Sequence, residues 1–428
     1  MKKIIAALLS ALCVLTAFSS CAFAFTAPQG SQSSESKSSQ SSKKKKDSSV
    51  KKDEDEDEES SVEEELEELE TYDEYDLDVY MKPIWQGSVV YNETLMFVGG
   101  GDRAPLLYQA TEIVSVRSYD LKTEYEEGVD YTYDSKTNTI RLKKNTKIPY
   151  FTEEEYYPAQ EIPGGSFPCT LDDVKYIRFA EGDFFSSKQI AVTYRHSGKK
   201  HITAPKSQSS AFENTLRKME KDEEVKVLFY GDSITVGANS SGFVGSGPYA
   251  DVWAKMVFDS LVKKTGASKA EYINTAVGGW TSQNGLENLE EKVLAYAPDA
   301  VVLAFGMNDG GLNPAKHIEN VAEIVERIRE VNPNTEICLV STMLPNEAVQ
   351  GFYRNQILFR GEYKSYLEER QKDGDTKICY ADVTTMHSAL LEKKRYYDMT
   401  GNNVNHTNDF MARIYAQTVF QTICGYEE

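Results

Sequence analysis

The chain has 428 residues and a formal charge of −20, with 67 acidic against 47 basic side chains. No basic stripe survives that balance, which excludes nucleic acid as a partner and disfavours long polyanionic substrates. The length leaves room for two packed cores, and no Cys/His spacing has the pattern of a zinc site.

The first residues, Met1-Lys2-Lys3, lead into an apolar stretch from Ile4 to Phe18 and the small-residue site Ala22-Phe23-Ala24. A basic start, a short apolar core and an A-x-A site predict a secretory signal over 1–24, too short for a permanent membrane span. Phe18-Ser19-Ser20-Cys21 also resembles a bacterial lipoprotein signal. Two fates stand open: release after cleavage behind Ala24, or membrane attachment through a lipid on Cys21. Either way the expected location is extracellular, secreted or anchored at the bacterial cell surface. Residues 25–71 run Ser/Gln-rich, then basic from Lys43 to Lys46, then acidic from Asp53 through Glu70. Such a stretch cannot bury enough apolar surface to offset the cost of ordering, so it reads as a disordered low-complexity linker.

Residues 72–205 hold short β-rich runs separated by turn residues. They fall at 87–91, 95–98, 112–116, 131–133, 139–142, 177–179 and 190–194, with Asp134-Ser135-Lys136-Thr137-Asn138 as a hairpin loop. Many short strands and few helical stretches predict an all-β sandwich domain. From 206 to 428 the pattern alternates. Strands are predicted at 225–230, 271–276, 299–305, 335–341 and 376–383, with helical stretches between them. Ile318, Val321, Ala322, Val325 and Ile328 make one apolar helical face, and Leu286, Leu289 and Val293 another. Phe410, Ile414, Ala416 and Val419 mark a less cleanly spaced C-terminal helix. Five strands alternating with helices predict an α/β domain with a parallel sheet covered on both faces. Cys338 and Cys379 fall inside these strand runs as small buried hydrophobes.

In such sheets, functional groups gather at the carboxyl ends of the strands. Ser233, in Gly231-Asp232-Ser233-Ile234-Thr235, follows the first strand. Asn274-Thr275-Ala276-Val277-Gly278-Gly279-Trp280-Thr281 spans the end of the second, and Gly306-Met307-Asn308-Asp309 follows the third. His406 lies in Asn402-Asn403-Val404-Asn405-His406-Thr407, before the last helix. Acyl transfer needs such a set. Ser233 is the expected nucleophile and His406 its base, with the N–H groups of Ser233 and Gly279 and the Asn308 amide as an oxyanion hole. His387 is a competing base, disfavoured by its position after the fifth strand. His196, His201 and His317 are expected at the surface. Tyr249 and Trp253, four apart, read as core packing. Loop 344–355 is placed to line the cleft. Asp232 and Asp309 are expected to orient loops.

Over residues 222–428 these blocks resemble the SGNH (GDSL-type) hydrolase superfamily. Ser233, Gly279, Asn308 and His406 match its four blocks in order. The resemblance implies a flavodoxin-like three-layer α/β/α domain that hydrolyses carboxylic esters without metal or organic cofactor. A β-sandwich ahead of that domain is similar to the architecture of two-domain carbohydrate esterases. One position departs from the pattern: the family carries an acid three residues before the histidine, and here Asn403 stands there. Three readings follow. The site is a Ser-His dyad with a backbone carbonyl or Asn403 holding the ring; Asp398 or Asp409 reaches in; or the domain is a decayed, glycan-binding surface protein. The expected function is a secreted serine esterase hydrolysing acyl, chiefly acetyl, esters on polysaccharide, with Trp280 stacking on sugar. A lipid or short-chain acyl esterase is the alternative within hydrolases.

Overall fold

The computed structural model describes residues 72–198 and 201–427. The expected signal, the spacer and Cys21 lie outside the described residues. The described residues fall in one compact unit, Leu69–Glu428.

Eight strands occupy the described residues before 205: β1 (Val89–Met96), β2 (Arg103–Pro105), β3 (Ala110–Ser118), β4 (Tyr131–Asp134), β5 (Thr139–Leu142), β6 (Ser166–Pro168), β7 (Tyr176–Arg178) and β8 (Gln189–His196). They form antiparallel sheets in the orders β1-β8-β3, β2-β5-β4 and β6-β7. Two runs expected as separate strands, 87–91 and 95–98, merge into β1. A register shift between Val90 and Glu93 interrupts its ladder, and Asn92 sits there at φ +46°. One extra residue in left-handed backbone makes a bulge, which sequence periodicity reads as a break. The hairpin at 134–138 is present, with Asp134 opposite Thr139.

The second half holds five parallel strands: β9 (Val225–Gly231), β10 (Ala270–Asn274), β11 (Ala300–Ala304), β12 (Glu336–Val340) and β13 (Ile378–Ala381). Their order is β10-β9-β11-β12-β13, the flavodoxin-like 2-1-3-4-5 winding. Successive side chains of a strand face opposite layers. Val225, Val227 and Phe229 of β9 share an apolar cluster with the helices Trp253–Thr265 and Asp409–Ile423. Leu228 and Tyr230 join the opposite cluster with Pro314–Val331 and Gln356–Lys372. Three layers result. The expected helix through Leu286, Leu289 and Val293 is broken into Ser282–Glu287, Leu289–Lys292 and a short 3-10 turn.

The first cluster does not stop at the α/β half. Leu95, Tyr108, Val192 and Tyr194 of the strand-rich region belong to it. The helix Asp409–Ile423 lies within this shared core, and every residue of it except Gln421 is buried. That burial explains its irregular spacing, since a helix covered all round needs no single apolar stripe. Its polar residues are used: Gln417 donates to the carbonyls of Tyr80 and Lys82 at 2.6 and 2.8 Å. A separate cluster of Met96, Phe151, Tyr156, Ile177 and Phe185 packs against Val349 and Val404, beside the loops of the α/β half.

Candidate active site

The nucleophile turn begins where β9 ends. Asp232 caps the single helical turn Ser233–Val236, its Oδ1 accepting the Ile234 N–H at 3.0 Å. Its Oδ2 accepts the Met307 N–H at 3.3 Å, which ties the turn to the loop after β11. Gly231 has no room for a side chain, because a Cβ there would lie 2.3 Å from the Ala304 carbonyl oxygen. Burial, reinforced by Asp309, pushes the Asp232 carboxyl up to about 7, against the pull of its N–H bonds and of His406. Asp232 thus fixes loops, as does Asp309, which accepts the Ser282 N–H at 2.9 Å and the Ser282 hydroxyl at 2.5 Å.

The second block runs over this turn. The Val277 N–H donates to the Gly231 carbonyl at 3.1 Å. A Cβ built on Gly278 would sit 3.9 Å from the Ser233 Cβ. Gly279 follows at φ +78°, a conformation that favours glycine, and is exposed. Among the described residues, the Ser233 and Gly279 N–H groups have no hydrogen-bond acceptor. Asn308 Nδ2 donates to the Trp280 carbonyl at 3.0 Å, which locks the third block to the second. Trp280 is half-buried and packs edge-on against Tyr230.

His406 stands on a loop whose polar side chains hold its own backbone. Asn402 Oδ1 accepts the N–H groups of Val404, Asn405 and His406, each at 3.0 Å. The Thr400 hydroxyl donates to the His406 carbonyl at 2.9 Å. This frame brings His406 Nε2 to 2.9 Å from Ser233 Oγ. Both residues are buried, at 9% and 8% exposure, so little water competes for that contact.

The Nδ1 side is where sequence reasoning went astray. Asn403 faces away: its Oδ1 accepts the Tyr156 hydroxyl at 2.8 Å and its Nδ2 donates to the Arg178 carbonyl at 2.9 Å. Asp398 is spent on Arg395 and on the Met96 N–H at 2.9 Å. Asp409 accepts the Ser241 N–H at 2.8 Å. Instead, Asn239 Oδ1 lies 2.7 Å from Nδ1 and Glu181 Oε2 lies 3.1 Å from it. Glu181 comes from the strand-rich region, 225 residues away in sequence. Nothing at Phe179-Ala180-Glu181-Gly182 marks it as a site, because only the tertiary fold brings it there.

Other expectations are also corrected. His387 is fully buried, accepts the Leu344 N–H at 3.0 Å and is pushed down to about 3 by burial, so it is a neutral core residue. His317 and His196 are buried, not superficial: His317 stacks on Phe359 and pairs with the Tyr363 hydroxyl at 2.9 Å, and His196 stacks on Tyr108. Trp253 is core, donating to the Ile234 carbonyl at 2.9 Å, whereas Tyr249 is 66% exposed on the loop before that helix. Loop 344–355 is pinned to the strand-rich region, with Phe352 against Phe167 and the Gln350 N–H on the Pro168 carbonyl. Among the described residues no cluster of acids, cysteines and histidines could hold a metal ion.

Residues 229–414 match the model of the GDSL-like lipase/acylhydrolase family. An arylesterase of Vibrio mimicus is 27% identical over 111 residues, 26% of this chain and 51% of that protein. Thioesterase 1/protease 1/lysophospholipase L1 of Escherichia coli K12 is 26% identical over 136 residues, 30% of this chain and 59% of that protein. The chain thus spans little more than half the length of these relatives. Among solved structures, a two-domain esterase (CEX) active on acetylated mannans superposes with a TM-score of 0.40 at 19% identity, over 51% of this chain and 54% of the other. An Axe2 acetylxylan esterase variant from Geobacillus stearothermophilus gives 0.39 at 18%, over 47% and 95%.

Proposed function

We propose that this chain, a member of the GDSL-like lipase/acylhydrolase family through residues 229–414, is a serine esterase that removes acyl groups, chiefly acetyl, from polysaccharide. The observation that carries the hydrolytic reading is the 2.9 Å contact between His406 Nε2 and Ser233 Oγ beneath the exposed Gly278-Gly279 turn.

The chemistry follows from that arrangement. His406 takes the proton of Ser233 as Oγ attacks the ester carbonyl. The Ser233 and Gly279 N–H groups and the Asn308 amide receive the oxyanion, each donor worth roughly 3 kcal/mol in the transition state. His406 then protonates the departing sugar oxygen, which leaves as the free hydroxyl. Water, deprotonated by the same ring, attacks the acyl-serine and frees the acid. Besides substrate and water, the steps written here use only these side chains and the two backbone N–H groups.

The sugar substrate rests on other supports: the half-buried Trp280 beside the oxyanion turn, the strand-rich region packed against the site, and the export signal read at 1–24. Secretion or anchoring through Cys21 belongs to the same proposal. The names of the curated relatives favour a second reading, in which small aryl, thio- or lysophospholipid esters are the substrates.

A substrate panel separates the two: acetate release from acetylated xylan and mannan beside aryl esters of two to twelve carbons. The polysaccharide reading predicts acetate from the glycans and an aryl-ester rate that falls steeply beyond acetyl. Faster turnover of long chains with intact glycan would transfer the assignment to the second reading. Ser233→Ala should lose at least about 1000-fold on every substrate turned over.

A further inference from the structure

We propose that Glu181, delivered by the strand-rich region, is the carboxylate of this active site, so that the hydrolase machinery is completed by a residue from outside the α/β domain. This rests on the serine-esterase reading and concerns how its base is held.

The hydrogen-bond network first fixes the tautomer. Asn239 Nδ2 donates to the carbonyls of Gly182 and Gly401, at 3.0 and 3.4 Å, so its Oδ1 must be the atom that faces His406. Glu181 Oε2 is likewise an acceptor. Two acceptors at Nδ1 place the proton there, which leaves the Nε2 lone pair for the Ser233 hydroxyl. That is the form a general base requires. The two acceptors are not equivalent. Asn239 is neutral and orients the ring, whereas Glu181 alone brings a full negative charge to the imidazolium formed when Ser233 gives up its proton.

The position of Glu181 is built, not incidental. Phe184 and Phe185 beyond it pack against Phe151, and Phe179 before it packs against Phe167. Asn402 Nδ2 donates to Glu181 Oε1 at 3.2 Å, which leaves Oε2 for the histidine. Asn239 grips the next carbonyl, that of Gly182. The residue that stands where the family acid would be, Asn403, grips Arg178 three positions earlier. An amide there can donate to a carbonyl, which a carboxylate cannot. The substitution at 403 and the arrival of Glu181 are thus one arrangement. Burial opposes ionisation of Glu181, but the hydrogen bond and charge of His406, with Asn402 and Asn239, hold its carboxyl below the ordinary range. It is therefore ionised at neutral pH.

Glu181 is a positioning residue, since it acts through His406. Its side chain is 52% exposed, so water screens its charge. Its loss should therefore cost about 10- to 100-fold, less than the ~10⁴ typical of a buried triad carboxylate. Glu181→Gln in the full chain keeps the shape and removes the charge. Expected are a fall in kcat of that size, little change in KM and an unaltered melting temperature. The acidic limb of kcat/KM should move to lower pH by about half a unit to one unit, because imidazolium loses its stabilising neighbour. Asp232, behind Ser233, is the other carboxylate whose charge couples to His406, and it is the same in both proteins. Glu181→Asp should recover part of kcat and of the limb. Unchanged kcat and pH profile in a folded Glu181→Gln variant, beside an inactive Ser233→Ala, would overturn the role of Glu181 and leave the esterase intact. If the unaltered chain hydrolyses none of the esters, the esterase reading falls instead. The low-field proton resonance of His406 Nδ1 then decides Glu181: an upfield move in Glu181→Gln supports the pairing, and an unmoved resonance refutes it.

Discussion

At Asn403 a single amide does what neither an acid nor an apolar residue would. It sits at φ +69°, a conformation asparagine tolerates better than most residues, and it joins the histidine loop to Tyr156 and Arg178 of the strand-rich region. Placing an acid at this position should therefore fail to help. Asn403→Asp removes the donor to the Arg178 carbonyl and sets two acceptors against each other, at a cost of about 1–3 kcal/mol in stability. We expect kcat to fall several-fold, because the segment bearing Glu181 loosens; a gain in kcat would show that the ring lacks a carboxylate. That Ser233, Gly279, Asn308 and His406 lie after strands or before the last helix was legible in the sequence, because apolar runs and turn residues mark those places locally. Glu181 and Asn239 were not. Their roles depend on a chain crossing more than 150 residues away, and neither is flanked by anything but loop residues.

Among elements, the five parallel strands emerged from their apolar runs to within a few residues, because both faces of each are buried and no polar alternation blurs them. The strand-rich region was legible as to type but not pairing, since a bulge at Asn92 and strands of three residues carry little periodic signal. The last helix shows why pattern fails in a shared core. It is buried on all sides, yet it opens on Asp409, whose carboxyl burial pushes up to about 6. Between about pH 4 and pH 6 the folded chain keeps a proton there that the unfolded chain has released, so this group makes stability fall as pH rises through that window. Asp409→Asn retains the acceptor for the Ser241 N–H and cannot ionise. Its melting temperature relative to the unaltered chain should rise between pH 4 and pH 7, by the equivalent of roughly 2 kcal/mol. A difference that stays constant across that range would contradict the assignment.

For the whole molecule, the two halves share one core around the Ser233–His406 pair. The apolar cluster runs without a break from Tyr108 and Tyr194 through Trp253 to Ile414. The buried pair of Lys394 and Glu93 ties the α/β half to β1 at 2.6 Å. The strand-rich region thereby holds the loop 344–355, the histidine loop and the segment of Glu181. Its packing is part of the geometry that sets Ser233 against His406.

That pairing is tested most directly by covalent capture: intact-mass analysis of the full chain after exposure to a fluorophosphonate, with peptide mapping of the adduct. We predict a single adduct on Ser233, absent in Ser233→Ala and formed at least about 100-fold more slowly in His406→Ala. A folded, unaltered chain that takes up no phosphonate, or takes it up on another residue, would contradict the account.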